Sequence, residues 1–216
     1  MNIAIDGPAG AGKSTIAKLA SKRLNYIYVD TGALYRSIAL YFIQNNLDIT
    51  DEKIVEQGCD NIDIKLQFID GNQEVFLNGS KVTTEIRNEE VGNMASVMAA
   101  KKIVRDKLIN LQREIAAAND VIMDGRDIGT NVLPNAEVKI FLTASIENRA
   151  NRRYQELLKK GDTPDFEAIK TDIEKRDYQD MNREIAPLKQ AEDAIYLDTS
   201  NMSIEEVVDF VCSKVN

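Results

Sequence analysis

The sequence contains no histidine, and its 216 residues include only two cysteines, Cys59 and Cys212. Without histidine, Ser-His-Asp and Cys-His catalysis are excluded, and so are zinc sites that use histidine ligands. Two cysteines are too few for a disulfide framework or for a cysteine-rich zinc site. These absences remove the commonest forms of nucleophilic and zinc-dependent catalysis from consideration.

The sequence also lacks a long apolar run and an excess of positive charge. No hydrophobic stretch approaches the ~20 residues of a membrane span, and Asp6 and Gly7 interrupt the apolar start too early for a signal peptide. Lys and Arg total 27 against 35 Asp and Glu, and the net charge of −8 argues against a nucleic-acid-binding protein. We therefore expect a cytoplasmic protein without nucleic-acid or membrane partners, and we expect it to be a monomer.

Apolar segments alternate with helical patterns along most of the chain, which predicts an α/β fold. The length and a hydrophobic share of 44% are sufficient for one large domain with a sizeable core. Because strand, helix and strand follow one another, the sheet is expected to be parallel and flanked by helices. Five core strands are predicted at residues 3–5, 26–29, 121–123, 138–142 and 195–197. Helical segments are predicted near residues 16–24, 32–45, 89–118, 146–159 and 165–181, and from Ser203, where a capping-box pattern begins.

The segment between the second and third core strands has a different pattern. Apolar residues alternate strictly with polar ones from Ile62 to Phe68, which is typical of a half-buried strand. Further strands are predicted at 74–77 and 81–82, with turns at Asp70-Gly71 and at Asn78-Gly79. Hairpins need no crossover helix, so this meander lies outside the α/β alternation. We predict a core domain of residues 1–60 and 88–216 into which residues 61–87 are inserted as an antiparallel β subdomain.

Residues 7–14 fit the phosphate-binding pattern G-x-x-x-x-G-K-[ST] between a predicted strand and a predicted helix. Glycines allow consecutive N–H groups to face phosphate oxygens, and the helix N-terminus adds partial positive charge. Lys13 is expected to reach the β- and γ-phosphates, and Ser14 to bind Mg²⁺, with Asp124 as a second ligand acting directly or through water. A helix cap or turn former is a rival interpretation of Asp124. The predicted ATP-binding residues here are Gly7, Pro8, Ala9, Gly10, Ala11, Gly12, Lys13, Ser14 and Thr15.

Three further segments resemble bacterial cytidylate kinases, and the resemblance runs through nearly the whole chain. The segments are Asp30-Thr31-Gly32-Ala33-Leu34-Tyr35-Arg36, then Asp124-Gly125-Arg126-Asp127-Ile128-Gly129-Thr130, and then Arg176-Asp177 through Asp180 to Arg183. The resemblance implies transfer of the γ-phosphate of ATP to CMP or dCMP. It also implies the fold of a P-loop nucleoside monophosphate kinase with a lid, here at about residues 154–165.

The resemblance assigns an acceptor site. Guanidinium groups match the oxygens of a phosphate monoester, and Arg36, Arg126 and Arg183 are expected to hold it. Ser96, Arg105 and Asp127 match base-reading positions, and Asp180 matches a ribose-binding position. The implied CMP-binding residues are Thr31, Tyr35, Arg36, Ser96, Arg105, Arg126, Asp127, Asp180 and Arg183. Ordinary surface ion pairs are the alternative for each arginine, and simple packing is the alternative for Ser96.

The arginines at positions 149, 152 and 153 have helical spacing just before a Gly/Pro-containing loop, which favours a lid over the transferring phosphoryl group. A solvated helix face is the alternative. The resemblance favours Arg153 over Arg152, adds Arg149 to the ATP-binding residues, and makes Lys13, Arg153 and Arg176 the catalytic residues. Since a phosphate monoester is largely dianionic at neutral pH, no general base is required.

Two other functions remain open from the residues alone. A related kinase acting on UMP, AMP or shikimate would share the phosphate loop, and a non-catalytic nucleotide-binding regulator would need no second set of arginines. The family commonly has serine where this chain has Thr31, so the preference between CMP and dCMP is left open.

Overall fold

The computed structural model describes residues 1–69 and 72–215. The strands are β1 (Asn2–Asp6), β2 (Ile27–Asp30), β3 (Ile64–Ile69), β4 (Asn72–Leu77), β5 (Ser80–Lys81), β6 (Val121–Gly125), β7 (Val138–Thr143) and β8 (Ile195–Asp198). The helices are α1 (Lys13–Leu24), α2 (Thr31–Gln44), α3 (Glu52–Asp60), α4 (Glu89–Met98), α5 (Lys102–Ala118), α6 (Ile146–Lys159), α7 (Phe166–Asn182) and α8 (Ile204–Cys212).

Five strands form a parallel sheet in the order β2-β6-β1-β7-β8, which confirms the predicted α/β fold. In the centre of the sheet, Ile3 of β1 lies between Ile122 of β6 and Val138 of β7. The strand β1 is almost entirely buried, as expected where helices cover both faces of a parallel sheet. Because all five strands run in one direction, the loops that follow β1, β2 and β6 meet at the same edge of the sheet.

The predicted insertion forms a separate antiparallel sheet of β3, β4 and β5. Asn78 and Gly79 turn the chain between β4 and β5 with positive φ angles of 49° and 82°, as the hairpin signal predicts. The predicted turn at Asp70-Gly71 lies outside the described residues.

The hydrophobic interior of the described residues forms three clusters, and the two largest join different elements. One cluster, which we call the α2 core, joins apolar residues of α2, α3, α4 and α5 to the small sheet through side chains such as Phe42, Val75 and Met98. The other, the α1 core, joins α1 and α8 to strands β1 and β7 through side chains such as Ile16 and Val208. The small sheet therefore packs into the same interior as α2.

Two features of the middle segment differ from the sequence-based expectation. Residues 52–60 form α3, which begins with Asp51 accepting hydrogen bonds from the N–H groups of Lys53 and Ile54. The predicted helical segment 89–118 is divided into α4 and α5, because Lys101 takes an extended conformation. Arg105 donates a hydrogen bond to the carbonyl of Ala99 at the end of α4, 3.0 Å away. This tertiary contact stabilises a break that the strong helix formers of residues 99–102 do not indicate.

In the part of the chain that the structure describes, no helix combines the length and apolar character needed to cross a membrane.

Candidate active site

A cavity of about 860 Å³ opens where the chain leaves β1, β2 and β6. It brings together most of the predicted site residues: Ala9, Gly10, Gly12, Lys13, Ser14, Thr15, Thr31, Tyr35, Arg36, Ser96, Arg105, Asp124, Arg126, Asp127, Arg153, Arg176, Asp180 and Arg183. The predicted residues that do not line the cavity are Gly7, Pro8, Ala11 and Arg149. Residues from six segments of the chain thus meet in one space.

The glycine-rich loop after β1 needs glycine at positions where φ is positive or where the backbone of β7 lies too close for a side chain. Gly10 and Gly12 have φ angles of 72° and 92°, and Gly12 immediately precedes α1. A Cβ atom on Gly7 would lie 1.9 Å from the backbone oxygen of Leu142 in β7. No other residue type fits these backbone positions without strain.

Two arginines of α6 hold this loop from behind. Arg149 donates to the carbonyl of Ala9 at 2.9 Å, and Arg152 donates to the carbonyl of Ala11 at 3.0 Å. Arg149 is buried and pairs with Asp177 of α7 at 2.6 Å. These side chains therefore act on the loop carbonyls, and contact between Arg149 and ATP stays a prediction.

Lys13 lies at the loop with its ammonium group donating to the carbonyl of Pro8 at 2.8 Å. The side chain is buried, and this burial, reinforced by the positive charge of Arg126, lowers the pKa of Lys13 to about 7. Asp124, Asp180 and Asp6 oppose that decrease. Lys13 and Arg126 line the same cavity, so the glycine loop and the predicted acceptor arginines share one space.

Oxygen-bearing side chains cluster beside Lys13. The Ser14 hydroxyl donates to Asp124 Oδ2 at 2.9 Å, and the Tyr28 hydroxyl donates to Asp124 Oδ1 at 2.9 Å. Burial, together with the negative charge of Asp30, raises the pKa of Asp124 to about 6. A nearby cation would stabilise the ionised form of this buried carboxylate.

Arginines from α2, from the loop after β6 and from the end of α7 line the same cavity. Arg126 pairs with Asp180 at 2.8 Å, and Arg183 approaches both Asp180 at 3.6 Å and Asp127 at 3.4 Å. Burial lowers the pKa of Arg36, and the positive charges of Arg87, Arg176 and Arg126 lower it further, whereas Asp30 opposes the change. The mutual repulsion of these guanidinium groups would be relieved by a bound anion.

A group of aromatic and polar side chains lies next to these arginines. Arg105 forms a buried ion pair with Asp127, and its guanidinium lies 5.6 Å from the centroid of the Tyr35 ring. The Nε atom of Arg105 is buried without a hydrogen-bond partner among the described residues. Ser96 of α4 lines the same cavity. The four side chains combine an aromatic face with hydrogen-bond donors and acceptors.

Arg153 and Arg176 face the cavity from α6 and α7, whereas Arg152 is directed to the glycine loop and Thr199. Arg153 pairs with Glu156 at 3.0 Å. The predicted lid region consists of the end of α6 and the connection to α7, where Gly161 has a φ angle of 88°. Its closure over the cavity stays a prediction.

Sequence reasoning missed three residues of this site. Asp30 and Arg87 line the cavity and form an ion pair at 2.8 Å. Asp6 is buried behind the cavity, where its carboxylate accepts hydrogen bonds from the N–H groups of Ile128 and Gly129 at 2.8 and 2.7 Å. Asp30 precedes a predicted helix, so its role as a helix cap was a usable signal, but the partners of Arg87 and Asp6 are distant in sequence.

Two solved structures share the fold. One is an uncharacterized protein from Eubacterium ventriosum ATCC 27560, with a TM-score of 0.55 and 11% identity over 100% of this chain and 98% of that chain. The other is TT1252 from Thermus thermophilus, with a TM-score of 0.51 and 14% identity over 100% and 98% of the two chains. Identity this low shows the fold alone. The fold, and the glycine loop that shares a cavity with a group of arginines, are those of a P-loop protein with a phosphate-binding site.

The family described as cytidylate kinase matches residues 3–216 of this chain. The chain is 54% identical over 206 residues to a cytidylate kinase of Leuconostoc mesenteroides, covering 95% of this chain and 92% of that protein. It is 47% identical over 215 residues to the cytidylate kinase of Bacillus subtilis (strain 168), covering 100% and 96% of the two. The chain therefore belongs to the cytidylate kinase family, as the resemblance of its motifs predicts.

Proposed function

We propose that the protein transfers the γ-phosphate of ATP to CMP or dCMP, giving ADP and the nucleoside diphosphate. The observation that carries this proposal is that Lys13 and the glycine loop line the same cavity as Arg36, Arg126 and Arg183. The first group suits a triphosphate and the second suits a phosphate monoester. Membership of the cytidylate kinase family supports the identity of both substrates.

Phosphoryl transfer depends mainly on positioning and on neutralising charge. In this proposal Lys13 and the loop amides hold the donor phosphates, and Arg126 orients the acceptor phosphate toward them. Arg153 and Arg176 line the cavity between the two groups, where they neutralise charge on the transferring phosphoryl group. The acceptor is already largely dianionic at neutral pH, so the reaction needs no histidine or other general base.

The residues beside Lys13 suit Mg²⁺, which prefers oxygen ligands and retains several waters. The Ser14 hydroxyl and the Asp124 carboxylate are 2.9 Å apart and would hold the ion directly or through water. Among the described residues, no cluster of three or more Asp, Glu, Cys or His side chains is placed to hold a metal ion, so the ATP phosphates would supply further ligands. When bound, Mg²⁺ neutralises charge on the β- and γ-phosphates.

Base selection is assigned to the pocket beside Tyr35. Cytosine offers an amino donor and two acceptors, N3 and O2, on its pairing edge. Asp127 and Ser96 are suited to accept from the amino group, and Arg105 is suited to donate to N3 or O2. Uracil presents an oxygen and an N–H instead, so the same groups would meet it unpaired, which permits strong discrimination. Asp180 and Thr31 are assigned to the ribose side.

The remaining assignments concern the surroundings of the site. We propose residues 61–87 as an acceptor-side subdomain of the core domain formed by residues 1–60 and 88–216, and residues 154–165 as a lid that excludes water. We also propose a cytoplasmic monomer that acts on free nucleotides, in keeping with the net charge of −8.

A coupled ADP-release assay with CMP, dCMP, UMP, AMP and shikimate tests the proposed function directly. We expect ATP consumption that requires CMP or dCMP, with kcat/KM for UMP at least tenfold lower. Calorimetric titration with CMP and UMP checks that the preference arises in binding. Equal rates with CMP and UMP would contradict the assigned roles of Asp127 and Arg105, and ATP turnover without acceptor stimulation would contradict the proposed reaction.

A further inference from the structure

The edge of the parallel sheet is covered by one side chain of the small sheet. β2 is an outer strand of the parallel sheet, so one side of its backbone has no strand partner there. The amide of Gln73, on β4, lies against that side. Its Oε1 accepts a hydrogen bond from the Asp30 N–H at 2.9 Å, and its Nε2 donates to the Asp30 carbonyl at 3.4 Å.

The residue that Gln73 holds begins the acceptor helix. The Asp30 carboxylate caps α2 by accepting from the Ala33 N–H at 3.1 Å. The first turns of α2 then carry Thr31, Tyr35 and Arg36 into the cavity. A shift of Asp30 would therefore move three of the groups assigned to the acceptor at once.

A second contact joins the end of the insertion to the same residue. Arg87 pairs with Asp30 Oδ2 at 2.8 Å, so β4 and the turn that follows β5 both meet the parallel sheet at Asp30. Beside these contacts lies a second cavity of about 470 Å³, whose walls include Tyr28, Gln73 and Arg87. Gln73 is the residue among these whose side chain hydrogen-bonds the Asp30 backbone, whereas Arg87 pairs with the Asp30 carboxylate.

We propose that Gln73 is a positioning residue for the acceptor nucleotide, which holds the small sheet and the start of α2 together at Asp30. The inference rests on the proposed function, because it assigns α2 to acceptor binding. Gln73 does not line the cavity assigned to the nucleotides, so its effect reaches the acceptor through Asp30 and α2. Ser14 and Thr15 also line the second cavity, but the hydrogen bonds of Gln73 are made to Asp30, so the constants for CMP should change more than those for ATP.

The substitution Gln73→Met tests this role, because methionine keeps the length of the side chain and removes both hydrogen bonds. We expect KM and the calorimetric Kd for CMP to rise about 3–10-fold, as for the loss of one or two hydrogen bonds. KM for ATP and kcat should stay within about twofold. Gln67→Met is the matched control, because Gln67 is an exposed glutamine on the neighbouring strand β3, and it should leave every constant unchanged.

Hydrogen exchange of the Asp30 amide gives a measurement that does not depend on a variant. If the Gln73 contact favours CMP binding, then CMP must stabilise the contact by the same factor. Exchange of the Asp30 amide in the wild-type protein should therefore slow on addition of CMP and not on addition of ATP alone. It should be faster in Gln73→Met than in Gln67→Met.

The outcomes separate this inference from the proposed function. A wild-type protein that does not phosphorylate CMP would overturn the proposed function. A wild-type protein that is active on CMP, with unchanged CMP affinity in Gln73→Met or unchanged Asp30 exchange on addition of CMP, would overturn only the role of Gln73. A lower melting temperature of Gln73→Met with unchanged CMP constants would make the contact purely structural and would also overturn it.

Discussion

The donor and acceptor sides of the cavity are constructed differently. On the donor side, the residues assigned to ATP phosphates form one short continuous segment, and its shape depends on glycine conformation and on arginine side chains that bind its carbonyls from behind. On the acceptor side, Arg36, Arg126 and Arg183 come from distant parts of the chain, and ion pairs with Asp127 and Asp180 hold Arg126 and Arg183 in place.

This difference determines how substitutions affect ligand binding on each side. A backbone site changes little when one surface side chain is altered, because its N–H groups belong to the loop itself. A side-chain site loses a charged hydrogen-bond donor with every substitution, and it leaves a buried carboxylate without its partner. Substitutions on the two sides should therefore separate the kinetic constants of ATP from those of CMP.

The largest effect is expected at Lys13, the charged side chain that the donor loop directs into the cavity. Lys13→Met should lower kcat by about 10²–10³, because a preorganised charge at the transferring phosphoryl group is lost. Steady-state kinetics at saturating ATP and CMP measure this effect. Lys22→Met, at an exposed position of the same helix, should retain wild-type kcat, and a loss of less than tenfold in Lys13→Met would contradict the assigned role.

An intermediate effect is expected at Arg36. Arg36→Met should lower kcat/KM for CMP about 10–100-fold, since a hydrogen bond to a charged group contributes about 1.5–3 kcal/mol, while KM for ATP stays within about twofold. Arg23→Met provides the control, because Arg23 pairs with Glu205 and Asp209 of α8 at the surface. An equal loss of ATP affinity in Arg36→Met would remove the distinction between the two sides.

A smaller effect is expected at Ser96, whose hydroxyl lines the cavity in the base pocket. Ser96→Ala should raise KM for CMP about 2–10-fold, the cost of one neutral hydrogen bond. It should also lower the ratio of kcat/KM for CMP to kcat/KM for UMP. Ser80→Ala, at an exposed position of β5, should change neither quantity. Unchanged constants in Ser96→Ala would show that this serine serves only packing.

The smallest expected effect is the uptake of protons when ATP binds. Burial and Arg126 lower the pKa of Lys13 to about 7, so its amine is mostly neutral in the free protein at pH 8. Bound phosphates raise the pKa again, and ATP binding at pH 8 should therefore take up a proton fraction approaching one. Arginines stay charged at this pH, so CMP binding should take up a smaller fraction, through the weaker effect of its phosphate on Lys13. Calorimetry in buffers of different ionisation enthalpy measures both values, and uptake that persists in Lys13→Met would exclude Lys13 as its source.

The sequence predicted the donor side from local pattern alone. The motif around Lys13 is continuous, and its position between an apolar run and a helical pattern is what the structure shows for β1 and α1. The five parallel strands and the Asn78-Gly79 hairpin were predictable for the same reason, since each depends on neighbouring residues.

The acceptor side was predictable only through family resemblance. Nothing in the spacing of Arg36, Arg126 and Arg183 indicates that they meet, because their approach depends on the packing of α2 and α7 around the sheet. The predicted single helix over residues 89–118 was wrong because a contact between two helices overrides local helix preference. The helix is interrupted after Ala99, where Arg105 donates a hydrogen bond to the Ala99 carbonyl. Arg152 has the same helical spacing as Arg153, yet only the fold shows that it is directed to the glycine loop.

The pairing of two of the three acceptor arginines with carboxylates affects how the protein responds to salt. Arg126 and Arg183 are already balanced by Asp180 and Asp127, and acidic and basic side chains line the cavity in nearly equal numbers. At these two arginines, an entering phosphate therefore exchanges one negative partner for another and meets a weaker net field than it would at unpaired arginines. Association with the acceptor should consequently be far less sensitive to ionic strength than binding at an open patch of positive charge, where screening acts on the whole attraction.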